Sequence, residues 1–114
     1  MKILVYTDSD DLQHWLDAIR LHLPQAEARG WTPGMVQADY ALVWKPPQQL
    51  FDEQGAGLKA IFNMGAGVDA LFARQLPAGV PVLRLEDAGM AVQMAEYVCQ
   101  AVIDHFRDLA PYRA

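Results

Sequence analysis

LKAIFNMGAGVDALFARQ, residues 58–75, decides how the rest of the chain is read. An apolar run, Leu58 to Asn63, meets Gly65 and Gly67 and passes into VDALFARQ, whose apolar residues recur at helical spacing. A run with no polar alternation suits a strand covered on both faces, and a strand that turns into a helix is the unit of a parallel α/β sheet. Gly65, Gly67 and Ala70 also spell G-x-G-x-x-A, and Glu86-Asp87 follow near the spacing of a ribose-binding acid. That is the outline of a dinucleotide fingerprint.

Two features oppose the dinucleotide reading. Asp69 falls in the first turn of the following helix, where its charge would repel a pyrophosphate, and Pro77 and Gly79 leave that helix little length. The glycines instead allow a tight turn and leave the amides of Ala66, Gly67 and Val68 unobstructed, as a small anion site suited to one carboxylate. A plain strand-to-helix turn without a ligand is the other reading of the same residues.

Working outward, KILVY (2–6), AEARGW (26–31), YALVW (40–44) and VPVLRL (80–85) supply further strands. Between the first two lies a helix with Leu12, Trp15, Leu16, Ile19 and Leu23 on one face, stopped by Pro24; QQLFDEQ (48–54) predicts a short second helix. The longest helical pattern runs from Ala88 to Leu109, with Met94, Val98, Ala101, Val102 and Phe106 along one stripe. The alternation predicts one domain over 1–114: a flavodoxin-like, doubly wound sheet of about five parallel strands in three α/β/α layers. The helical stripe is expected to pack across this sheet and also to mediate a homodimer by exchange of the helix between chains.

Composition narrows the function. The chain has 114 residues, 53% of them apolar, and a net charge of -5, which suits one core and opposes nucleic acid or an anionic membrane as partner. No apolar run approaches the roughly eighteen residues of a membrane span, and the expected compartment is the cytoplasm. Cys99 has no metal-ligand spacing around it and is read as a small buried residue on a helix. Asp8, Asp10 and Asp11 follow the first strand, where they would repel a flavin phosphate; they are read as helix-capping residues. A phospho-acceptor domain would need an aspartate just after the third strand, where Trp44-Lys45 stand. His14, His22 and His105 have no motif that brings them to the glycine loop.

KILVY (2–6), ALVWKPP (41–47), LKAIFNMGAGVDAL (58–71), VPVLRLEDAGMAVQMAEYV (80–98) and HFRDLAPYR (105–113) together resemble the N-terminal part of the D-isomer-specific 2-hydroxyacid dehydrogenases, in particular their bacterial glyoxylate/hydroxypyruvate reductase A group. N-M-G-A-G-V-D and M-A-E-Y-V are the most specific pieces. The resemblance implies a flavodoxin-like substrate domain in which the amides of Ala66, Gly67 and Val68 hold the carboxylate of a small 2-oxo acid, glyoxylate or hydroxypyruvate. It places Trp44 and Lys45 in the same cleft, makes 88–109 an interdomain helix, and brings Met90 and Met94 near an NADPH or NADH cofactor; filling core gaps is the other reading of the two methionines.

The family's nucleotide-binding domain and its catalytic arginine, glutamate and histidine would lie beyond the position of Ala114. The chain is therefore read as a truncated substrate domain, inactive alone and with no cofactor of its own; Glu96 and His105 are not read as replacements. A stand-alone flavodoxin-like anion-binding or protein-interaction module is the alternative.

Overall fold

The computed structural model describes residues 1–113. Strands β1 (Lys2–Thr7), β2 (Glu27–Gly30), β3 (Tyr40–Trp44), β4 (Ala60–Asn63) and β5 (Val82–Arg84) form one sheet in the order β2-β1-β3-β4-β5. Every neighbouring pair is parallel, with Leu4 opposite Ala41, Ala41 opposite Ile61, and Ile61 opposite Val82. This is the flavodoxin-like order expected from the alternation of apolar runs and helical stretches.

The period of two along each strand divides the core between the two faces. On one side Leu4, Val43 and Ile61 pack with Leu50 and Phe51 of α2 (Gln48–Gln54) and Leu71 of α3 (Asp69–Phe72). On the other, Ile3, Val5 and Ala28 meet Leu16 of α1 (Leu12–His22), with Leu12, Trp15 and Ile19 beside it. That second layer covers only the β1–β2 half of the sheet, and Phe62 and Leu83 remain 38% and 45% exposed on β4 and β5.

Helix α4 (Met90–Arg107) corrects three expectations. It contains no buried residue, and Met94, Val98, Val102 and Phe106 are all exposed, so the stripe does not pack across the sheet. Cys99 lies on this helix but is exposed as well. Met90 and Met94, each 53% exposed, fill no core gap. The cause lies at the junction: Asp87, Ala88 and Gly89 have φ of 38°, 53° and 83°, and three successive left-handed residues turn the chain before the helix begins. The result is an elongated molecule, 60 × 31 × 21 Å. Among the described residues no helix is long and apolar enough to cross a membrane.

Candidate carboxylate site at the strand ends

The C-terminal ends of β1, β3 and β4 lie side by side, since β3 pairs with both neighbours. The chain leaves β1 for α1 on one face and β3 for α2 on the other. Such a divergence opens a crevice at the strand ends, the usual ligand position of a doubly wound sheet. The loop after β4, residues 64–68, borders this crevice through Met64 and Gly65.

Asn63, the last residue of β4, is only 5% exposed, and its Nδ2 donates to Gly65 O at 2.7 Å and to Gly67 O at 2.8 Å. Arg84 Nη1, from the end of β5, donates to Ala66 O at 3.3 Å. Met64 N is used within the fold, donating to Val43 O. The amides of Gly65, Ala66, Gly67 and Val68 donate to no acceptor among the described residues. Adjacent amides without partners are free to donate to an anionic group.

Neither Gly65 nor Gly67 has a left-handed φ, so the bend at residues 64–66 does not depend on the backbone freedom of glycine. A Cβ at Gly65 would lie 2.7 Å from Trp44 Cζ3, so the indole rests directly on the loop; at Gly67 a Cβ would meet nothing within 4 Å. The helix that follows, α3, has 4 residues and begins at Asp69. One helical turn headed by a carboxylate does not suit a dinucleotide pyrophosphate.

Two clefts flank the loop. A cavity of about 200 Å³ is lined by Thr7, Ser9, Asp11, Trp15, Trp44 and Gly65, with Met64. On the other side Val68, Phe72, Val82, Arg84 and Glu86 border a wider one of about 450 Å³. Asp11 stands at the start of α1 without capping it by its side chain. Its carboxylate instead accepts from Ser9 Oγ at 2.7 Å, Thr7 Oγ1 at 3.1 Å and Trp15 Nε1 at 3.0 Å. These donors, Ser9 foremost and then Trp15, hold its pKa below the ordinary value of 3.8. Lys45, with a left-handed φ of 48°, carries its Nζ 3.8 Å from Asp8 Oδ2 and 5.7 Å from the Trp44 ring centre.

Trp44 therefore shares a cleft with Gly65, and Lys45 stands beside it. Val68 borders the wider cleft, whereas Ala66, Gly67, Met90 and Met94 line neither. No histidine lines either cleft, and no group of three or more His, Cys, Asp and Glu side chains among the described residues could hold a metal. Sequence reasoning missed Asn63, Arg84 and the hydrogen-bonding role of Asp11. An amide side chain at the strand end, immediately before a glycine loop, was the available signal for the first.

No family profile matches the chain. It is 45% identical over 120 aligned residues to glyoxylate/hydroxypyruvate reductase A of Serratia proteamaculans, covering 99% of this chain and 38% of that protein. The same enzyme of Yersinia enterocolitica is 43% identical, with the same shares covered. Among solved structures, a D-isomer-specific 2-hydroxyacid dehydrogenase from Xanthobacter autotrophicus, in complex with NADPH and MES, superposes with a TM-score of 0.76 at 38% identity, over 97% of this chain and 37% of that one. A family protein from Klebsiella pneumoniae gives 0.70 at 31% identity, over 99% and 38%. The chain thus spans well under half the length of the relatives it matches.

Proposed function

We propose that this chain, a homologue along its whole length of D-isomer-specific 2-hydroxyacid dehydrogenases, is the substrate-binding part of a glyoxylate/hydroxypyruvate reductase. The observation that carries the reading is the glycine loop, whose carbonyls are held by side chains while the amides of Ala66, Gly67 and Val68 lack acceptors. Those amides would take the carboxylate of a 2-oxo acid. Trp44, resting on Gly65, would wall the cleft against bulky substituents, and Lys45 would add positive charge at its edge.

In such a reductase a nicotinamide cofactor supplies the hydride. The short α3 and its leading Asp69 do not fit that cofactor, so in this reading the dinucleotide is held elsewhere, with Met90 and Met94 near it. The two clefts beside the loop offer no histidine to deliver the proton. The chain by itself is accordingly expected to bind a small 2-oxo acid weakly and to oxidise no NADPH, with the cytoplasm as its compartment.

Backbone amide NMR with added glyoxylate, and separately with NADPH, tests this. Shifts confined to Gly65–Asp69 and Trp44-Lys45 with glyoxylate alone are expected. No response to glyoxylate, or a response of the loop to NADPH alone, would overturn the assignment.

A second reading rests on a different observation, the bare stripe of α4. Met94, Val98, Val102 and Phe106, 53%, 53%, 49% and 82% exposed, follow one another along the helix at spacings of four residues. A continuous apolar stripe left bare in this way suits an apolar partner surface. In this reading α4 binds a second copy of the chain, and sedimentation over a range of concentrations should show a monomer–dimer equilibrium.

A further inference from the structure

We infer that Asn63 and Arg84 are positioning residues that set the anion-binding form of the glycine loop, an inference resting on the carboxylate reading of that loop. In a planar trans peptide the C=O of one residue and the N–H of the next point in opposite directions. Among the described residues no peptide bond is cis. Asn63 Nδ2 draws Gly65 O and Gly67 O toward the buried end of β4, at 2.7 and 2.8 Å, and Arg84 Nη1 holds Ala66 O at 3.3 Å. These three carbonyls share their peptide planes with the N–H groups of Ala66, Gly67 and Val68. Fixing the carbonyls therefore aims these three amides away from the Asn63 and Arg84 donors.

The geometry also explains how a loop without left-handed glycines presents successive amides. The orienting force comes from side-chain donors outside the turn, so the backbone dihedrals of Gly65 and Gly67 need not supply it. Asn63 contributes two bonds from a buried amide, whereas Arg84 contributes one from an exposed side chain. The larger share belongs to Asn63, because hydrogen bonds shielded from water resist exchange with solvent. Aspartate matches asparagine in shape but, when ionised, cannot donate. Asn63→Asp therefore sets a carboxylate against two carbonyls without changing side-chain size.

The test compares the full chain with Asn63→Asp and Arg84→Met by amide NMR, titrating each with glyoxylate and recording nitrogen relaxation of residues 65–68 without ligand. Asn63→Asp is expected to weaken glyoxylate binding about tenfold, as the loss of buried hydrogen bonds implies, and to loosen the loop while β1–β5 keep their shifts. Arg84→Met, at an exposed side chain that does not endanger the fold, is expected to weaken binding about threefold and to move the Gly67 amide selectively. Wild-type affinity and relaxation in Asn63→Asp would overturn the inference. Should Asn63→Asp fail to fold, an unmoved Gly67 amide in Arg84→Met would overturn it. If the wild type itself ignores glyoxylate, the carboxylate reading fails, and unchanged loop relaxation in the variants would then overturn the positioning role separately.

Discussion

Gly65 and Gly67 differ in what a methyl group would meet. At Gly65 it would press within 2.7 Å of Trp44 Cζ3, so Gly65→Ala is expected to cost about 1 kcal/mol in urea unfolding and to change the Trp44 environment seen by fluorescence. Gly67→Ala meets nothing and needs no left-handed backbone, so its stability should stay within about 0.5 kcal/mol of the parent. A second residue-scale expectation concerns acid. Asp39 accepts from the backbone N–H of Lys2 at 2.8 Å and pairs with Lys59 Nζ at 3.3 Å, which together hold its carboxyl below the ordinary 3.8. A depressed carboxylate stabilises the fold above its unfolded pKa, and the contribution disappears as pH falls through the lower folded value. Asp39→Asn should therefore be less stable than the parent at neutral pH, with the gap closing below 3.8; a constant gap in urea midpoints across that range would contradict it.

Among the elements, α4 stands apart because nothing buries its apolar face. Its 18 residues make a rod about 27 Å long whose stability rests on propensity and local pairs alone. Amide exchange from Val92 to Arg107 is therefore expected to be faster than from β1, β3 and β4, whose residues form the core. Val98→Lys with Phe106→Lys should change unfolding stability by no more than about 0.5 kcal/mol, as exposed sites do. The same pair of changes should abolish a dimer held by the stripe. A large loss of stability would mean that the stripe is buried in solution.

The proportions of the whole molecule follow from that helix. A compact chain of this length has a radius of gyration of about 13 Å, whereas the Cα value here is 19.1 Å. Small-angle scattering from dilute protein should return a value near the larger figure, and a value near the smaller would place α4 back against the sheet. The available seat is the half of the sheet where Phe62 and Leu83 are bare. The stripe's period was legible in the sequence, but its neighbour was not. Periodicity tells which side of a helix is apolar, and the left-handed run Asp87-Ala88-Gly89 decides where that side faces.

The five strands, their parallel order and the glycine turn after β4 were determined by the sequence itself, since apolar runs, caps and breakers act over a few residues and crossover handedness leaves few arrangements. The likeness of N-M-G-A-G-V-D to the 2-hydroxyacid dehydrogenases was equally legible. Tertiary structure alone decided which way the loop amides face, because Arg84 reaches Ala66 O from 18 residues away and Asn63 bridges two carbonyls at once. It alone exposed Cys99 and the stripe of α4, and turned the Asp11 carboxylate from a cap into an acceptor for Ser9, Thr7 and Trp15. The Arg84 bond forms only once the sheet has brought the ends of β4 and β5 together, whereas the bonds of Asn63 and Asp11 join residues two to four apart, and periodicity does not record which partner each of those side chains takes.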